Sequence, residues 1–192
     1  NVPARMKRSS LHTLVGVGCL VFGLAAVGAM SAAGCDGDTP DDCLDDKGCF
    51  DYACYTPGPT RSFKKDVLPI FEQSCSLSSS CHGNAKSPMT ADGYQPYLGE
   101  VDPTDAKPSD VAKILSLIVS QPSPSAMGEN IVEPGKPEKS WLMQKMDGDV
   151  ACGLVTCAFS DCGKSMPEGV KPLPQATRDV IRDWIKQGAQ NN

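Results

Sequence analysis

Apolar positions recur at helical spacing in four stretches of the chain. Phe63, Val67, Ile70 and Phe71, followed by Ser74, fall at i, i+4, i+7, i+8 and i+11, a stripe that ends at Cys75. Asp66 is placed to cap this helix, and Pro69 then falls in its first turn, where a missing N–H costs nothing. A second helix is expected after Ser109, with Val111, Ile114, Leu115, Ile118 and Val119 on one face and Pro122 as its stop. Pro137 suits the first turn of a short third helix carrying Trp141, Leu142, Lys145 and Met146. Val180, Ile181, Trp184 and Ile185 form the apolar face of a terminal helix that closes at Gly188. No alternating strand pattern competes, so the expected fold class is all-α: a bundle of about four helices. The loops at 85–108 and 121–137 are rich in Pro and Gly and longer than a compact bundle needs, a length that suits wrapping around something.

The first 34 residues have a different character. Arg5, Lys7 and Arg8 precede a stretch from Leu11 to Gly34 without a charged side chain, the layout of an export signal. The stretch is also long enough to cross a bilayer as one helix. Its end, Ala32-Ala33-Gly34-Cys35, resembles the lipobox of bacterial lipoproteins, with Ala32 where Leu is usual. That resemblance implies lipidation at Cys35 and a chain tethered to the cell membrane or outer membrane, facing the periplasm or exterior. A retained transmembrane anchor and a soluble secreted form are the alternatives.

Removing residues 1–34 leaves 15 Lys and Arg against 23 Asp and Glu, a formal charge of −8. No basic stripe remains for a phosphate backbone, which excludes nucleic acid as a partner. Residues 35–60 hold seven Asp and one Lys without apolar periodicity and read as an acidic tether, leaving 61–192 as the folded domain. Ten cysteines in 192 residues also point outside the reducing cytosol. Cys43, Cys49 and Cys54 are expected to be oxidised, with the later trio Cys152, Cys157 and Cys162 as candidate partners; connectivity is not legible.

His82 is the one histidine beyond residue 34, and it directly follows Cys81, with Cys75 six positions earlier. The arrangement looks like a c-type haem attachment site, in which two thiols bond the porphyrin vinyl groups and the adjacent imidazole ligates the iron. The intervening residues number five, Ser76-Leu77-Ser78-Ser79-Ser80, where two are usual. The competing reading is a local Cys75–Cys81 disulfide beside a surface histidine.

Five segments occur in order: Val67-Leu68-Pro69-Ile70-Phe71, Cys81-His82-Gly83, residues 132–142, Ser165-Met166-Pro167 and residues 181–189. In that order and spacing they resemble the single-haem cytochrome c-like domains of exported bacterial proteins, related to class I cytochromes c, over roughly 61–190. The resemblance implies one covalent haem c and a cytochrome c-like bundle. In it the helix before the haem motif crosses the terminal helix, setting Ile70 or Phe71 against Ile181 or Trp184. It also implies Met166 as second axial ligand opposite His82, with Met89, Met127, Met143 and Met146 as lesser candidates. A thioether opposite an imidazole saturates the iron and suits electron transfer with redox partner proteins, so the chain is not expected to be an enzyme by itself. Residues 152–162 are an added cysteine-rich insert, and Pro174 stands where a Ser or Thr cap is common. The alternative function is a haem-free lipoprotein of the same fold, stapled by four disulfides and serving as a surface binding or structural module. Disulfide exchange by a thiol pair is disfavoured, because no Cys-x-x-Cys pair exists.

Overall fold

Ser62 starts the first helical segment. Its hydroxyl accepts from the Lys65 amide, and its own amide donates to Asp66 Oδ2 at 2.6 Å, a reciprocal arrangement that satisfies end groups on both sides. The cap is thus four residues earlier than the expected Asp66, and one wide turn, Phe63–Val67, precedes helix α1, Leu68–Ser74. These observations come from a computed structural model that describes residues 43–86, 89–90, 93–159 and 161–192. The expected export signal, its lipidation at Cys35 and residues 35–42 of the tether lie outside the described residues. Among the described residues no helix is long and apolar enough to cross a membrane.

Helix α2, Val111–Ile118, is capped by Asp110 rather than Ser109. The reason is competition: the Ser109 hydroxyl donates to Glu72 Oε1 at 2.6 Å and accepts the Glu100 amide at 2.7 Å. The helix also ends before Pro122, because Val119 turns extended and pairs with Val132. Pro137 opens a separate tight turn, Pro137–Lys139, and helix α3 follows as Trp141–Asp147, stopped at Gly148 with φ +82°. Helix α4 spans Gln175–Lys186 after Pro174, which supplies no side-chain cap.

Two small antiparallel ladders accompany the helices. Strands β1 (Met89–Thr90) and β2 (Gly93–Tyr94) pair, as do β3 (Ala126–Met127) and β4 (Thr156–Cys157). An all-α description is therefore too simple, and two-residue strands are too short for a period of two to reveal. The apolar core gathers Phe63, Val67, Phe71, Ile114, Ile118, Met143, Ile181, Trp184 and Ile185. The contact expected of Ile70 or Phe71 with the terminal helix is made chiefly by Phe63, whose ring centroid lies 5.1 Å from Trp184 and 6.0 Å from Phe71.

The described part of the expected tether, residues 43–60, is docked on the domain. Phe50 is buried with its ring 3.7 Å from the Arg182 guanidinium carbon. Tyr52 donates its hydroxyl to Asp147 Oδ2 at 2.8 Å, and Tyr55 and the Gly58 amide both donate to Asp183. Below them Asp147 accepts from Arg178 and Arg182 at 2.5 and 2.6 Å, a buried ion cluster between α3 and α4. Residues 35–60 read as an acidic tether; in the described part, Phe50, Tyr52 and Tyr55 do the anchoring. Six cysteines form three disulfides: Cys43–Cys54 within this segment, Cys49–Cys152 across the trios, and Cys157–Cys162 within the insert.

Candidate functional site

Helix α1 delivers Cys75 to its C-terminal end, where the Cys75 and Ser76 amides both donate to the Phe71 carbonyl, at 2.8 and 2.9 Å. The next residues close on themselves. The Cys81 and Gly83 amides both donate to the Ser78 carbonyl at 3.1 Å, and the His82 amide returns to the Cys75 carbonyl at 3.1 Å. The five-residue insert therefore bulges outward, with Leu77 exposed at its surface, while His82 stays hydrogen-bonded to the residue that begins the motif. Gly83 permits this closure. A Cβ there would lie 2.4 Å from Val101 Cγ2 and 2.9 Å from the Ser78 carbonyl oxygen.

His82 is held on both sides. Its carbonyl accepts the Leu98 amide at 2.9 Å, and its Nδ1 lies 2.9 Å from the Pro96 carbonyl oxygen. A carbonyl can only accept, so Nδ1 carries the proton and Nε2 presents a lone pair, the state in which imidazole binds a metal. Burial pushes the ring's pKa below its ordinary value, against the opposing pull of the Pro96 carbonyl, which keeps the ring neutral at pH 7.

The two thiols differ. Cys75 is half-buried against the core, and burial, with a smaller contribution from Cys81, pushes its pKa up to about 12. Cys81 is exposed, and Ser78 donates its hydroxyl to the sulfur at 3.3 Å. Both are free thiols, and the Cys75–Cys81 disulfide is not formed. Nor do Cys75, Cys81 and His82 converge as a chelate. The one trio of Cys, His or acidic ligand atoms within 4.8 Å of one another among the described residues is Cys49, Asp149 and Cys152, two of which are bonded together.

Met166 is tied to the end of α3. Its amide donates to the Lys145 carbonyl at 2.8 Å, and Lys145 Nζ in turn binds the carbonyls of Cys162 and Lys164, strapping the loop onto the end of α3. Its side chain is half-buried, and no described hydrogen bond joins Met166 to Cys75, Cys81 or His82. Of the lesser candidates, Met143 and Met146 are committed to the core and Met127 is exposed; the Met89 side chain lies outside the described set. Two open hollows, about 370 Å³ beside Lys64, Glu72 and Ser109 and about 300 Å³ beside Glu129, Glu133 and Lys139, contain none of the four residues.

The described residues offer two unbridged thiols and a histidine whose Nε2 has no described hydrogen-bond partner. Sequence reasoning missed the Pro96 carbonyl, for which no side-chain pattern exists, and the cluster of Asp147, Arg178 and Arg182. A signal for the latter was present, since Arg178 and Arg182 lie four apart beside the Ile181 and Ile185 stripe. Compared with protein-family models, with curated proteins and with solved structures, the chain gives no match in any of the three.

Proposed function

We propose that the domain carries one haem c bonded to Cys75 and Cys81, with His82 as one axial ligand and Met166 as the other, and that it transfers single electrons between redox partner proteins. The observation that carries the reading is the division of the cysteines. The six outlying ones pair into three disulfides, and the two others among the described residues precede a histidine whose Nδ1 is hydrogen-bonded to a carbonyl. A haem-free module stapled by four disulfides needs a Cys75–Cys81 bond in place of those thiols. When bound, the haem would supply a one-electron carrier, with the His82 imidazole and the Met166 thioether as the groups that would tune its potential. The chain's own contribution is to hold His82 in one tautomer and orientation and to present the thiols on either side of the bulge. With His82 and Met166 both engaged as ligands, the role proposed is that of a carrier rather than an enzyme. Anchorage to a membrane through Cys35 belongs to the same reading.

Expression with a c-type maturation system, followed by a pyridine haemochrome spectrum and an intact mass, tests the proposal. The expected result is one haem per chain, lost in Cys75→Ala/Cys81→Ala. Haem-free protein with a Cys75–Cys81 disulfide, from cells that mature other c-type cytochromes, overturns it.

A further inference from the structure

Between the docked N-terminal segment and the end of α3, the Cys49 and Cys152 sulfurs and the Asp149 carboxylate lie within 4.8 Å of one another. Cys49 is buried, whereas Cys152 is half-exposed between the exposed Ala151 and Gly153, so the Cys152 side of the bond is the one nearer solvent. Asp149 is 1% exposed; its Oδ1 accepts the Phe50 amide at 3.0 Å and lies 3.7 Å from Cys152 Sγ. Its Oδ2 is buried without a hydrogen-bond partner. A buried carboxylate whose second oxygen has no partner is costly to keep ionised, and a proton on it relieves that cost.

We propose that Cys49, Cys152 and Asp149 form a thiol–disulfide exchange site for dithiols, with Cys152 as the attacked sulfur, Cys49 as the leaving group and Asp149 as its proton donor. The first thiolate of the dithiol bonds to Cys152 Sγ as the Cys49–Cys152 bond breaks. The electron pair goes to Cys49 Sγ, which takes the proton of Asp149 instead of remaining a buried thiolate. The second thiol of the reagent then displaces Cys152 from the mixed disulfide. The dithiol leaves as a disulfide, both protein cysteines end as thiols, and Asp149 recovers its proton from solvent. Two electrons and two protons move from dithiol to protein.

The surroundings set when Asp149 holds that proton. Burial and the nearby Asp147 raise its pKa, the Phe50 amide and the guanidiniums of Arg178 and Arg182 lower it, and it settles at about 6. Tyr52 faces the same cluster through its bond to Asp147 and stays protonated throughout, since burial drives its pKa far upward. The donor is therefore loaded below pH 6 and spent above it. The site owes nothing to the haem reading, since Cys75 and Cys81 take no part.

With those two thiols first blocked by a light alkylating reagent, limited exposure to dithiothreitol and mass mapping of newly released thiols give the reduction rate of each disulfide. Cys157–Cys162 in the same molecule serves as the internal reference, cancelling the reagent's own ionisation. The rate ratio of Cys49–Cys152 to the reference should fall on the order of tenfold between pH 5 and pH 8. Asp149→Asn, which keeps the acceptor for the Phe50 amide, should hold the ratio flat at its low value. A pH-independent ratio in the wild-type protein overturns the proposal without recourse to any variant, as does an Asp149→Asn profile that matches the wild type.

Discussion

Phe50→Ala is the sharpest test of the docked N-terminal segment. The ring is 3% exposed, packs edge-on against Tyr52 with centroids 4.9 Å apart, and covers the Arg182 guanidinium at 3.7 Å. Truncating a buried phenylalanine costs about 3–5 kcal/mol through lost transfer energy and the cavity left behind. A desolvated cation–π contact accounts for up to about 2 kcal/mol of what the ring supplies. Phe50→Leu, which keeps most of the apolar volume but not the ring face, should therefore cost about 1–2 kcal/mol. For a domain of this size each kcal/mol lowers Tm by roughly 2–4 °C, so Phe50→Ala should melt about 6–20 °C lower than wild type with all disulfides intact. Urea titration, read by tryptophan fluorescence from Trp141 and Trp184, gives the free energies directly. A loss below about 0.5 kcal/mol for Phe50→Ala, or equal losses for the Ala and Leu variants, would refute the argument that this segment is anchored by a ring on a buried cation.

Gly83→Ala should cost about 1–3 kcal/mol, because its Cβ meets the Ser78 carbonyl as well as Val101; adding Val101→Ala should recover only part, as urea titration of the pair will show. In the haem-free protein, His82 should titrate below its ordinary 6.5 in the nitrogen-detected NMR spectrum, with the proton on Nδ1 above that range. Since its folded pKa is depressed, the stability it contributes is present above pH 6.5 and is lost as pH falls through the lower, folded value. Met166→Ala in haem-loaded protein should open a coordination position and lower the potential, read by ligand-binding difference spectra and redox titration, whereas Met127→Ala should change neither.

What the sequence disclosed of the fold was its helices, because each carries an apolar stripe that periodicity can find. Errors arose where one side chain had two possible duties. Ser109 has the chemistry of a cap but spends its hydroxyl on Glu72 and Glu100, and no local pattern says so. Residues 43–60 failed for a related reason: charge count dominated the reading, while the partners of Phe50, Tyr52 and Tyr55 lie about a hundred residues away in α3 and α4. At the candidate site, Cys75, Cys81 and His82 are candidates by identity and spacing, which a sequence displays directly. The closure of the five-residue bulge onto the Cys75 carbonyl, and the Pro96 carbonyl behind His82, are backbone contacts that sequence does not encode by residue type.

The bond between Cys49 and Cys152 has a consequence in time as well as in space. A chain is made from its N-terminus, so Cys49 appears 103 residues before its partner, with Cys75 and Cys81 emerging in the interval as unattached thiols. Cys43 and Cys54, only 11 apart, can join early and remove two competitors. Cys49 pairs only with Cys152 and must wait for it. The surface that Phe50 covers is completed later still, when Arg182 arrives on the final helix. The earliest described residues can therefore take their places only after the last helix has been made, an arrangement of high contact order that slows the final closure of the domain.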